Sequence, residues 1–221
     1  MKTKISARKI AITAVYLAII AMFTVIPQLT FFQFIPGIIS AAIPFLVVVA
    51  LAAQLDGFWT GIISSTFFGL CSFVASYVVF STTAYWFQNP LISIMPRIFI
   101  GPAVYAVFKL FRAVFAKSKS QFAKSVLPSA IGAAAGVITN TALVLGIVAL
   151  FYGNRMLDGV KVLVILGTIL GVNFPIELAA CIVIVPPVYF ALSKYRKQTP
   201  IPQHNSNDNT QSEDGKQSGD Y

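Results

Sequence analysis

Several apolar stretches of this chain run past the roughly 20 residues that an α-helix needs to cross a hydrocarbon core about 30 Å thick. One of them, residues 125–154, carries no charge at all. Inside lipid the backbone has to satisfy its own hydrogen bonds, and the strict period-two alternation of a membrane barrel is absent, so helices are left. Composition agrees: 57% of the 221 residues are hydrophobic and 10% are charged, against about a quarter charged in an ordinary soluble domain. The chain reads as an all-α integral membrane protein, a bundle of six transmembrane helices near residues 8–26, 37–54, 58–80, 90–112, 124–151 and 162–193. These form one membrane domain, residues 1–197. Residues 198–221, rich in Asn, Gln, Ser and Asp, read as a disordered cytoplasmic tail that cannot bury a core. The first run follows four basic residues, but no small-residue cleavage site comes after it, so it reads as a retained helix.

The formal charge of +9 invites a nucleic-acid reading, which the placement of the charges argues against. Lysines and arginines flank the apolar spans instead of lining one face. With the N-terminus in the cytoplasm, the inner segments hold 13 of the 16 basic residues and the outer ones hold only Arg155 and Lys161. Six spans then return the C-terminus to the same side, as expected of a multi-pass protein of the cell membrane. Cys71 and Cys181 lie within apolar segments with no metal-ligand spacing, and the single His204 lies in the tail. No metal site, cofactor or catalytic triad has raw material here. No Gly-rich phosphate loop occurs either, so the chain is not expected to hydrolyse ATP itself.

Arg97 alone among the basic residues, and Glu177 alone among the acids, lie well inside spans. A charge at mid-membrane costs at least about 2.5–3.5 kcal/mol on insertion scales, so each must face protein or a watery cavity. Either the two pair and lock helices together, or they line a pocket. Asn89, Ser93 and Arg97 recur every four residues and share one face of the fourth helix, as Asn173 and Glu177 do on the sixth. Pro96 and Pro175 each remove a backbone donor, freeing the carbonyls of Ile92 and Gly171. Together these residues point to a pocket for a small polar solute in the outer half of the membrane, with a guanidinium suited to a carboxylate. The outer loops carry Phe31, Phe32 and Phe34, then Tyr85 and Trp86, which form either an interfacial aromatic belt or lids over a ligand. On the first helix Ala7, Ala11, Ala14, Ala18 and Ala21 make a stripe of small residues, for packing inside the protein or for docking a partner.

The run Asn89-Pro90-Leu91-Ile92-Ser93-Ile94-Met95-Pro96-Arg97, with Gly101 after it, resembles a segment of the substrate-specific components of energy-coupling factor (ECF) transporters. Gly136–Thr141 around Asn140, and Asn173–Pro186 around Glu177, are similar to the same family's pattern, and the likeness covers about residues 8–193. This resemblance implies a membrane subunit that captures a water-soluble vitamin at the outer side. It also implies association with a transmembrane coupling subunit and two cytoplasmic ATPase subunits, and toppling to release the substrate inward. It further implies that Ala14 and Ala18 dock on the coupling subunit, that Pro27–Pro36 is the gate, and that Asn140 joins Asn89, Ser93, Arg97, Asn173 and Glu177 as a substrate residue. Pantothenate, folate and cobalamin are the vitamins of the Pro-Arg type. Pantothenate fits best, with one carboxylate for Arg97 and hydroxyl and amide groups for Asn and Glu.

Three rivals remain from other classes. A membrane hydrolase would need paired acids with histidines, or a serine with a base, within the spans. A structural scaffold would need no polar face such as Asn89, Ser93 and Arg97. A gradient-driven secondary transporter would be favoured by an internal repeat of three helices, and none is evident.

Overall fold

The computed structural model describes residues 7–25, 32–35, 39–78, 84–157 and 159–198. Helix α1 (Ala7–Val25) is followed by an antiparallel hairpin, β1 (Phe32–Ile35) and β2 (Ile39–Ala41). The helices α2 (Ile43–Asp56) and α3 (Phe58–Ala75) come next. Three single-turn helices, α4 (Ala84–Phe87), α5 (Pro90–Ser93) and α6 (Met95–Ile98), lead into α7 (Ile100–Val114). Helix α8 (Gln121–Tyr152) ends at a second small hairpin, β3 (Met156–Leu157) and β4 (Val160–Lys161). Helix α9 (Val162–Thr168) then passes through a π turn, Ile169–Asn173, into α10 (Phe174–Gln198).

Five stretches are long and apolar enough to cross a membrane: Ala7–Val25, Phe58–Ala75, Pro90–Lys117, Phe122–Tyr152 and Val162–Tyr195. The expected span near 37–54 is different. Its first residues belong to the hairpin, and the helix itself has 14 residues, about 21 Å of rise, short of the hydrocarbon thickness. Its sequence, IPFLVVVALAAQLD, is apolar on every side, and a helix of that kind belongs in a core. Accordingly α2 packs against α1, α3, α7, α8 and α10. The third span stops at Ala75 instead of near 80, and the sixth runs on to Gln198. The rest of the expected tail lies outside the described residues.

The core gathers around α2. Phe45 stacks on Phe68 of α3 with ring centroids 4.7 Å apart, and Phe108 of α7 meets Tyr189 of α10 edge-on at 5.3 Å. A smaller core of Trp86, Ile92, Val144, Val148, Val162 and Leu166 joins α4 and α5 to α8 and α9. Hydrophobicity gives little drive for helices to associate in lipid, so close backbone approach has to supply packing. Glycine provides it where α3 crosses α7, because a Cβ on Gly101 would land on the Gly61 carbonyl. Inside the core, Gln54 and Ser129 satisfy one another: the Ser129 hydroxyl donates to Gln54 Oε1 at 2.6 Å, and Gln54 Nε2 donates to the Ser129 carbonyl at 3.1 Å.

Gly101→Ala should therefore lower the melting temperature of the purified protein in mild detergent, with a cost of about 1–3 kcal/mol typical of overpacking. Gly146→Ala, where an added Cβ meets nothing within 4 Å, should leave it unchanged or slightly higher. Equal effects of the two in the same melt would show that the α3–α7 crossing does not depend on glycine.

Candidate functional site

Proline breaks the chain at the depth where the polar residues lie. Pro96 has no N–H for the Ile92 carbonyl, and the helix there divides into α5 and α6 around Ile94. The vacant acceptor is taken by a side chain: Arg97 Nη1 donates to the Ile92 carbonyl at 2.6 Å. The guanidinium sits over the rings of Phe87 at 4.7 Å and Phe68 at 5.6 Å, and the residue is only 4% exposed. Gly69 of α3 makes room for this bend, since a Cβ there would lie 3.0 Å from Ile94 Cα and 3.2 Å from Arg97 Cβ. Pro175 acts in parallel on the other side. The residues just before it, Ile169–Asn173, form the π turn, a widened turn common at functional sites.

The two charges stand level without touching. Starting from the Phe108–Tyr189 ring contact, Arg97 lies about 16 Å up α7 and α6, and Glu177 about 18 Å up α10. Among the described residues, no carboxylate reaches ion-pair distance of Arg97. Glu177 Oε1 instead accepts the backbone N–H of Ala42 at 2.8 Å, at the N-terminal end of α2, where an anion complements the helix dipole. The expected alternative of an Arg97–Glu177 lock is thus replaced by two separate attachments, one to Ile92 and one to Ala42.

The other expected residues fall into two groups. Asn89 accepts from the Leu91 N–H at 3.0 Å and caps α5, and Ser93 donates to the Gly69 carbonyl at 3.3 Å. Both are occupied with local structure. Asn140 is placed by the α7–α8 packing: a Cβ on Gly132 would lie 3.0 Å from Phe108 Cβ, and one on Gly136 2.6 Å from Val104 Cγ2. The next turn of this antiparallel register brings Asn140 level with Ile100, just below α6. Asn140, Asn173 and Glu177 are all buried. Arg97 Nε, Asn140 Oδ1 and Ser64 Oγ are buried atoms with no hydrogen-bond partner among the described residues. In a membrane interior such atoms are costly, and they are what a polar ligand would satisfy.

Sequence reasoning missed Phe68, Phe87, Gly69 and Ser64. The first three were legible only as ordinary apolar or small positions, and a serine among the apolar residues of α3 gives little signal. Of the expected lid residues, Tyr85 is exposed with its ring edge-on to Tyr152 at 6.4 Å. Trp86 is 2% exposed and belongs to the smaller core. Phe31 lies outside the described residues, and Phe32 and Phe34 lie on β1. On α1 the buried positions are Tyr16 and Ile20, whereas Ala7, Ala11, Ala14 and Ala18 are exposed. That arrangement overturns internal packing as the use of those four alanines. Among the described residues, no group of three His, Cys, Asp or Glu could hold a metal ion.

Comparison with known proteins agrees with this architecture. The chain is 28% identical over 214 residues to the pantothenic acid transporter PanT of Lactococcus lactis subsp. cremoris (strain MG1363), covering 89% of this chain and 99% of that one. Residues 8–189 match the family described as ECF transporter, substrate-specific component. That match covers most of the chain and reaches all five long apolar stretches among the described residues, so the chain belongs to the substrate-specific components of ECF transporters, and it is a multi-pass membrane protein.

Proposed function

We propose that this chain is the subunit that binds pantothenate for an ECF-type importer. The observation that carries the reading is Arg97: buried, fixed by Ile92 and two aromatic rings, and with Nε directed to no acceptor among the described residues. A guanidinium held in one rotamer loses little entropy on taking up a carboxylate, and its fork suits two oxygens. Pantothenate offers one carboxylate for Arg97. Its hydroxyl and amide groups suit Asn140, Asn173 and the second oxygen of Glu177, while Asn89 and Ser93 support the wall that carries Arg97. The similarity to a protein named for pantothenic acid transport supports this choice of vitamin. Phe31, Phe32, Phe34 and Tyr85 serve as the gate, with Trp86 anchoring the turn that presents Tyr85.

In this reading the subunit sits in the cell membrane with both termini in the cytoplasm, as the distribution of basic residues favours. It needs no cofactor and catalyses no reaction. Two separate ATPase subunits hydrolyse ATP, and a transmembrane coupling subunit docks on Ala14 and Ala18, whose outward exposure supports that role.

Mass spectrometry of small molecules extracted from protein purified in mild detergent should find pantothenate at about one per chain. Recovery of folate or cobalamin instead would overturn the choice of vitamin. Arg97→Ala should weaken pantothenate binding by at least about thirtyfold, the loss expected when one partner of a buried charged hydrogen bond is removed. Arg97→Gln, which keeps a donor for Ile92, should retain the wild-type melting temperature without ligand while still binding poorly. Wild-type affinity in Arg97→Gln would remove the carboxylate contact from the reading.

Docking is tested separately. Ala14→Trp should abolish ATP-dependent uptake into vesicles reconstituted with the coupling and ATPase subunits, while pantothenate binding by the isolated subunit stays unchanged. Uptake by the wild-type subunit alone, driven by an ion gradient, would favour a secondary transporter instead.

A further inference from the structure

A cleft lies at the opposite end of the bundle from Arg97, and the proposed binding of a vitamin makes no use of it. The end of α7, the start of α8 and the end of α10 surround a cleft of about 510 Å³, within the range of small-molecule sites. Arg112, Lys124 and Lys194 line it, one from each helix, with Ser125 and Ser193 between them and Gln54 and Tyr189 on its inner wall. Among the described residues, no acidic residue lines the cleft. Asp56, one residue beyond Leu55 on its wall, accepts the Tyr16 hydroxyl at 2.8 Å.

Three like charges on one small cleft repel one another, and none of the described residues lining it carries a carboxylate. An anion would remove that cost. The apolar surroundings specify what kind of anion. Phe190 is on the cleft wall and exposed. The exposed indole of Trp59 lies at the same end, where Phe58 meets the Tyr105 ring, as expected of a residue at a membrane interface. A free phosphate ion would satisfy the cations and leave these apolar side chains uncovered. A molecule with a phosphate head and hydrocarbon tails covers both.

We infer that the Arg112–Lys124–Lys194 cleft is a binding site for one anionic phospholipid, with its phosphate among the three cations and its acyl chains leaving along Phe190. The site stands apart from the vitamin pocket and does not depend on which vitamin binds there. Basic pockets between helix ends are a recognised physical basis for lipid headgroup binding.

The test is native mass spectrometry of the full chain in detergent, delipidated and then titrated with phosphatidylglycerol or phosphatidylcholine. One phosphatidylglycerol per chain should be retained, at least about tenfold more tightly than phosphatidylcholine, and less tightly at high salt. Each of Arg112→Ala, Lys124→Ala and Lys194→Ala should weaken that binding about fivefold, and Arg112→Lys should largely keep it. Lys117→Ala with Lys119→Ala, on the neighbouring loop, should not change it, and all variants should keep the wild-type melting temperature and pantothenate affinity.

Equal retention of the two lipids, or equal loss in the loop variant, would overturn the inference. So would displacement of phosphatidylglycerol by millimolar inorganic phosphate, which would make the cleft a site for the free ion. If the three substitutions instead weaken assembly with the coupling subunit and leave lipid retention unchanged, the cleft is a protein contact and the lipid assignment fails. Loss of pantothenate binding in Arg97→Ala with normal lipid retention would show the two sites to be separate.

Discussion

A carbonyl without a donor in the middle of a membrane is the constraint on which this architecture turns. Pro96 removes the N–H that would have closed the helix on Ile92, and no water is at hand in lipid to replace it. The protein closes the gap with Nη1 of the very next residue, Arg97. One bond thereby solves two problems, since the carbonyl gains a donor and the guanidinium gains a fixed place. Hydrogen bonds to charged groups contribute roughly 1.5–3 kcal/mol, enough with the Phe68 and Phe87 rings to offset much of the cost of burying the charge. The break in α5 and α6 is also what turns the guanidinium toward its neighbours, and Gly69 permits it by leaving space under Ile94.

Glu177 is the counterpart on α10, and the distribution of its contacts matters as much as its charge. Had it paired directly with Arg97, each would have exhausted the other and little would be left for a solute. Attachment to the Ala42 N–H gives one carboxyl oxygen a backbone partner while holding the group apart from the guanidinium. Two opposite charges at one depth, each tied to its own backbone group, leave a polar ligand with a donor on one side and an acceptor on the other. Burying two such groups apart costs folding stability, the usual direction of exchange where a site is kept ready for a ligand.

Much of this was legible in the sequence, and the parts that were not share a physical reason. The free carbonyl of Ile92 follows from the position of Pro96 alone, and the depth of Arg97 and Glu177 follows from residue counting along helices. Which donor finds Ile92 depends on a side-chain rotamer, which spacing does not encode. Asn89 was read as a member of a polar face, although Asn before Pro is also a helix-cap signal, and capping is what it does. The run from 37 to 54 reads as one span because an apolar run does not distinguish strand from helix at its ends. The hairpin, and the bond from Ala42 to a residue 135 positions away, are long-range events. Nothing in the sequence marks Gln54 for burial, yet an uncharged amide can enter a core when Ser129 meets both its polar ends.

The first helix and the polar site are connected without sharing residues. Helix α1 packs on α2 and α3 through Tyr16, Ile20 and their neighbours, and its alanines face outward. None of Arg97, Asn140, Asn173 and Glu177 lies on it, so contact with a partner there need not perturb the ligand's first neighbours. Its chain nevertheless continues into the β1–β2 hairpin and reaches Ala42, whose N–H is held by Glu177. The β1–β2 hairpin thus stands in the chain between α1 and the residue bonded to Glu177. Noncovalent contacts offer a second route through Tyr16 and Asp56 at the inner end of α2. Both routes enter α2, the one helix that packs against α1, α3, α7, α8 and α10 together. Its apolar residues on every side suit it to that enclosed place, and it still carries the chain from Ala42 beside Glu177 to Asp56 at the other end of the bundle.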